Sequence, residues 1–208
     1  KLIGEAEDSA SSLSFIKSAF SLALLLMFIV LISLFNNFYH TFIILFSIVL
    51  STTGIFVGLL VMGMSFSGVM TGLGIVACTG IVVNNNIILI DSYRKIRKTE
   101  ENKTIAIIKS ARSRIRPIFL TTITTVCGLL PSALQISMNI FDRSITYKSP
   151  ETYFVQPLAW AIVWGLSFAT FATLFVTPSL LALPDKLKSL VSKNKKQATI
   201  QVAEKKYI

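Results

Sequence analysis

The sequence predicts an all-α membrane protein: a bundle of five transmembrane helices with a cytoplasmic amphipathic linker helix. Three observations predict it. Hydrophobic residues make up 53% of the chain, charged residues only 14%, and five apolar stretches reach the length of a bilayer crossing. A soluble globule carries about a quarter charged residues. With a mean hydropathy of +0.70 this chain cannot cover itself in polar groups, and its natural solvent is a bilayer. Intrinsic disorder, a disulfide scaffold and a collagen-like fibre are excluded by the same composition.

The elements follow in order, each crossing needing about 20 apolar residues. Residues 1–14, with Glu5, Glu7 and Asp8, form an extracytoplasmic lead-in. Their acidic character is the wrong flank for a signal peptide, which needs a basic start. Spans are expected at 15–35, 39–63, 68–93, 118–136 and 153–183, and together they make one transmembrane domain, 15–183. Pro117 and Pro157 suit the first turns of the fourth and fifth spans, because a first-turn residue needs no N–H. Pro178 is expected to kink the fifth span or mark its end. Between spans three and four, Ile105, Ile107, Ile108, Ala111 and Ile115 alternate with Lys103, Lys109, Arg112, Arg114 and Arg116. This pattern reads as an interfacial helix over about 101–116, its basic side towards the headgroups. Residues 184–208 form a basic cytoplasmic tail.

Charge placement sets the orientation. Of 20 basic residues, nine lie in 94–116 and seven in 186–206. Basic loops stay cytoplasmic, so the N-terminus is expected in the periplasm and the C-terminus in the cytoplasm. This clustering also accounts for the net charge of +10 without a nucleic-acid partner, since a nucleic-acid reader carries a basic face with interleaved aromatics. Cys78 and Cys127 lie in apolar runs without paired spacing and read as small buried hydrophobes. The chain begins with Lys1, and a piece of something longer, or the product of a split gene, is therefore expected.

Two kinds of motif remain. Gly54 and Gly58, and Gly68 and Gly72, are four apart and let helices approach closely. Polar residues inside apolar spans are costly and usually face the bundle interior or a water-filled path. The third span carries Asn84, Asn85 and Asn86 in succession. Successive helical residues are about 100° apart, so all three cannot share one face and at least one should point to a neighbouring helix. Asn84 and Asp91 are seven apart on nearly one face, as are Arg114 and Thr121 on the next helix. Asn84, Asn85, Asp91, Arg114 and Thr121 are the candidates for an ion path, beside the plainer readings that Thr hydroxyls bond their own backbone and Asn amides only join helices. Asp91 has a second reading of equal standing, a simple pair with Arg94 or Lys95. His40, the single histidine, sits beside an interface and reads as structural, although imidazole chemistry also permits proton transfer. No nucleophile elbow, phosphate-cradling loop or metal-ligand spacing is present in the sequence, so neither enzymatic activity nor a cofactor or metal is expected.

Gly80-Ile-Val-Val-Asn-Asn-Asn-Ile-Ile-Leu-Ile-Asp91, then Arg114-Ile-Arg-Pro-Ile-Phe-Leu-Thr-Thr122 and Gly128-Leu-Leu-Pro131, resemble the resistance-nodulation-division (RND) efflux permeases of the hydrophobe/amphiphile type. The likeness runs from Gly4-Glu5 to Phe175-Val-Thr-Pro-Ser179, nearly the whole chain. It implies the C-terminal transmembrane half of a twelve-helix, proton-driven multidrug exporter in the bacterial inner membrane. The partners implied are the N-terminal half of the permease, two further copies in a homotrimer, a periplasmic adaptor, an outer-membrane channel and the lipid bilayer. Acidic residues of the first half would centre proton transfer, with Asn84, Arg114 and Thr121 as their polar partners. Drug exporters often carry Lys where this chain has Asn84; Asn offers hydrogen bonds but no ion-pair exchange. Two alternatives stand beside this reading: a non-transporting fragment of a split or decayed permease gene, and the protein-export accessory of the Sec pathway, from the same superfamily.

Overall fold

A computed structural model describes residues 2–139, 144–147 and 150–184, with side chains for 11–137, 150 and 152–184. Among the described residues five helices are long and apolar enough to cross a membrane. They are α1 (Leu2–Phe35), α2 (Phe38–Val61), α3 (Gly68–Arg97), α4 (Lys103–Ala133) and α5 (Pro150–Phe171), the last running on through a π-turn, Ala172–Val176. A hairpin of β1 (Ile136–Asn139) and β2 (Ser144–Tyr147) separates α4 from α5.

Short connections keep neighbouring helices antiparallel. After α1 the chain reverses through Asn36, at φ +45°, a backbone region that Asn tolerates better than most residues. Asn37 then caps α2, its side-chain oxygen accepting from the Tyr39 N–H at 2.9 Å. Gly63, at φ +62°, ends α2: its N–H donates to the Leu60 carbonyl and that of Met64 to Leu59. These two bonds satisfy carbonyls that the helix end leaves free. Asn102 caps α4 as Asn37 caps α2.

α5 is the central helix, packed against α2, α3 and α4. Lipid tails are as apolar as leucine, so close packing rather than escape from water must hold such a bundle together. Glycines make that closeness possible. Gly54 and Gly58 of α2 lie directly against Phe168 and Trp164 of α5, where a Cβ would collide with either side chain. Gly68 and Gly72 of α3 receive Leu13 and Ile16 of α1. One core cluster joins α1 to α4 around Leu31, Ile44, Ile90 and Leu181; a second, around Ile55, Cys78, Val82 and Leu166, joins α2, α3 and α5. α1 is peripheral, with Phe15, Leu22, Leu25 and Ile29 exposed.

Several boundaries differ from expectation. The lead-in 1–14 is not separate: α1 is helical from Leu2, because nothing between 2 and 35 is a proline or a glycine pair that would stop it. The interfacial helix expected at 101–116 and the fourth span expected at 118–136 are one helix, Lys103–Ala133. Pro117 therefore sits inside α4 rather than in a first turn, and Pro157 inside α5. Each removes a single backbone donor, a local loss that a helix held by its neighbours absorbs. The stretch between the fourth and fifth expected spans holds the hairpin, which also takes Ile136 from the end of the fourth; Ile136-Ser-Met-Asn139 and Ser144-Ile-Thr-Tyr147 alternate as strands do. Pro178 follows the π-turn, and the helix continues to Pro184. The wider i→i+5 turn, in which the Thr177 N–H reaches the Ala172 carbonyl, precedes a residue whose ring would crowd an ordinary turn. The expected tail lies outside the described residues apart from Pro184.

Candidate functional site

The three asparagines divide as helical geometry requires. Asn86 is fully buried and points into the bundle. Its Nδ2 donates to the Thr173 hydroxyl at 3.1 Å and to the Val82 carbonyl at 3.0 Å. Its Oδ1 accepts from the Thr177 hydroxyl at 2.9 Å, and Thr177 in turn lies 3.5 Å from Ser47 of α2. This chain of polar contacts ties α2, α3 and α5 together around the π-turn. Asn85 is also buried, at 8% exposure, whereas Asn84 is exposed. Neither side chain makes a hydrogen bond among the described residues.

Asn84 heads an outward stripe that continues through Ile88 to the half-buried Asp91. Asp91 pairs with Lys95 one turn on at 2.8 Å, the simpler of its two readings. Both side chains are well exposed, so the pair contributes little to stability. On α4, Thr121 is exposed and Arg114 half-buried, with a buried Nε that finds no acceptor among the described residues. The Thr121 hydroxyl donates to its own helix at the Ile118 carbonyl, and Thr124 and Thr125 likewise bond within α4. Such back-bonding satisfies a hydroxyl in an apolar medium without an external partner.

Two contacts hold α4 in place beside these residues. Ser92 and Ser113 approach to 3.4 Å, and they are the immediate neighbours of Asp91 and Arg114. Thr122 and Thr170 approach to 2.7 Å between α4 and α5. Asn84 and Asp91 thus share an outward stripe of α3, Arg114 and Thr121 lie seven residues apart on the adjoining α4, and Asn86 is turned inward. Sequence reasoning missed Asn86 as the bundle-facing member, together with Thr173 and Thr177. Their signal was hydroxyls and an amide in otherwise apolar spans.

Comparison with known proteins gives a consistent pattern. A family model described as the AcrB/AcrD/AcrF family matches residues 2–184. The swarming motility protein SwrC of Bacillus subtilis is 30% identical over 177 residues, which is 84% of this chain and 16% of that protein. The cobalt-zinc-cadmium resistance protein CzcA of Cupriavidus metallidurans is 26% identical over 180 residues, 86% of this chain and 16% of the relative. The nickel and cobalt resistance protein CnrA of the same organism is 32% identical over 130 residues, 62% of this chain and 11% of the relative. A crystal structure of a heavy metal efflux pump superposes with a TM-score of 0.63 at 29% identity, covering 80% of this chain and 15% of the pump. The chain therefore spans about one-sixth of the length of the first two relatives.

Proposed function

The chain belongs to the AcrB/AcrD/AcrF family, and from that membership we propose that it is the C-terminal membrane part of a proton-driven RND efflux transporter. The observation that carries this reading is a polar stripe on each of the adjoining helices α3 and α4, which this reading takes together as one edge. Asn84 is exposed on a span that must lie in a bilayer, and on α4 the Arg114 Nε has no partner among the described residues. An amide facing hydrocarbon and a guanidinium without an anion both cost free energy. A further protein element with carboxylates would satisfy both, and the acidic helices of the permease's N-terminal half have that chemistry.

In this arrangement Asn84, Arg114 and Thr121 respond to the protonation of those carboxylates. A charged carboxylate attracts Arg114 and accepts from the Asn84 amide; a protonated one offers a donor and releases the guanidinium. The rearrangement moves α3 and α4, and Asn86 passes the shift to α5 through Thr173 and Thr177. The edge faces the bacterial inner membrane's proton path, with the N-terminus periplasmic and the C-terminus cytoplasmic, as the basic segment 94–116 favours. Assembly would be a homotrimer working with an adaptor and an outer-membrane channel. Cargo contacts lie outside this chain. The names CzcA and CnrA carry extend the candidates from hydrophobic amphiphiles to divalent metal cations.

The test is export by the full-length protein in a host lacking its own pumps, measured for Co²⁺, Zn²⁺ and an amphiphilic dye. Asn84→Ala and Thr121→Ala should each reduce export of the transported cargo while the amount of protein in the membrane stays unchanged. Wild-type export by both variants would sink the assignment of this edge.

A further inference from the structure

A recess of about 380 Å³ opens where the α1–α2 turn meets the last turns of α3. Its walls are Asn37, His40, Tyr93, Arg94, Arg97 and Lys98: three cations and no carboxylate. The nearby acids are engaged elsewhere, Asp91 by Lys95 and Glu100 by Lys109. The cations are held by neutral groups instead. Arg94 donates to the Leu34 carbonyl at 3.3 Å and lies 5.6 Å above the Phe35 ring; Arg97 donates to the Glu100 backbone carbonyl at 2.5 Å. Among the described residues none of the three forms an ion pair with a carboxylate.

Two features sharpen the recess. The capped N-terminus of α2 opens onto it and adds the positive end of a 24-residue helix. His40, in the first turn of that helix, is held edge-on by Phe35 and Tyr93, with ring centroids 6.2 and 6.3 Å away. Its Nδ1 is buried and has no hydrogen-bond partner. A fixed ring with an unused nitrogen beside three uncompensated cations lacks one component, a compact anion with several acceptor oxygens.

We propose that this recess binds the phosphate group of an anion at the level of the lipid headgroups. Arg94, Arg97 and Lys98 supply the charge, and His40 supplies a directional contact at the recess floor. The spans α2 and α3 end here, which places the recess at the membrane boundary, where basic pockets between helices meet anionic headgroups. The same chemistry would accept the phosphodiester of an anionic phospholipid or free phosphate, and the experiment separates the two.

The full-length protein, purified in a neutral detergent, is incubated with radiolabelled phosphatidylglycerol and passed over a sizing column. The double substitution Arg97→Gln/Lys98→Gln leaves the contacts of Arg94 intact, and Arg112→Gln, on an exposed part of α4 outside the recess, serves as control. Lipid retention should fall about tenfold or more in the double variant, because two charge-assisted contacts are lost, and stay unchanged in the control. A second measurement needs no variant. Acylation of His40 by diethyl pyrocarbonate, followed by mass spectrometry of the peptide that carries it, should slow on addition of phosphatidylglycerol and not of phosphatidylcholine. Protection by inorganic phosphate as well assigns the site to free anions, which supports phosphate binding and identifies its source. His40 unprotected by both lipid and phosphate, or protection that persists unchanged in the double variant, overturns the proposal.

Discussion

Replacing Asn86 by leucine tests how α3 is pinned to α5. The substitution keeps the number and branching of the side-chain heavy atoms and its methyl groups are bulkier than the amide, so no cavity opens. It removes two interhelical hydrogen bonds, to Thr173 at 3.1 Å and from Thr177 at 2.9 Å. The third bond, to the Val82 carbonyl, lies within α3 and contributes nothing across the interface. An interhelical hydrogen bond in a membrane protein is worth about 0.6 kcal/mol on average and about 1.7 at most, so two bonds give about 1.2 kcal/mol with a ceiling near 3.4. The freed hydroxyls can turn to their own helix carbonyls, which keeps the loss well below that ceiling. The expected destabilisation is therefore about 1–2 kcal/mol. It is measured on the full-length protein by titration with sodium dodecyl sulfate in mixed micelles. A double-mutant cycle with Thr173→Val should give a coupling of about 0.6 kcal/mol. Full additivity, with no coupling between the two sites, would refute the bond and the pinning role built on it.

Gly58→Ala places a methyl group against Trp164, close to that side chain's own Cβ, so the helices must separate; overpacking of this kind costs about 1–3 kcal/mol. Gly72→Ala meets only Ile16 at 3.3 Å, and its melting temperature should fall less than that of Gly58→Ala. Asp91→Asn breaks an exposed i,i+4 pair with Lys95 and should cost about 0.3–0.5 kcal/mol at low salt, fading as salt is added. A loss of transport in that variant without a loss of stability would instead favour the relay reading of Asp91. In detergent, maleimide should modify the exposed Cys127 quickly and the buried Cys78, whose Sγ lies 3.1 Å from the Ser51 hydroxyl, only after denaturation. Equal rates, read by peptide mass, would place Cys78 outside the core described above.

Hydropathy made the five spans legible, because the requirement for about 20 apolar residues acts on each segment alone. Their limits were less legible. Pro117 reads as a helix start only where no structure precedes it, and in α4 the helix already runs from Lys103, held against α5 by the Thr122–Thr170 contact. For the asparagines the sequence supplies their relative angles but no absolute direction. Which one turns inward depends on where α5 lies, and Asn86 finds its partners 87 and 91 residues along the chain. The π-turn was half legible, since Pro178 marks where a regular turn fails but does not say that a wide turn answers it. The outward stripe of Asn84 and Asp91 was readable because a seven-residue spacing returns to one face of any helix.

The π-turn also bears on how this helix tolerates changes in length. Within a regular helix, losing one residue turns everything beyond it by about 100° and carries a core face out of the core. A turn of the i→i+5 kind already contains one surplus residue. A deletion inside Ala172–Val176 would convert it to an ordinary turn while Leu181 kept its place in the cluster around Ile44 and Ile90. The same deletion at Gly165, two turns earlier, would swing Leu166, Ala169 and the π-turn itself away from Ile55 and Cys78. This short stretch is therefore where the bundle can lose a residue without losing the azimuth of its last helix.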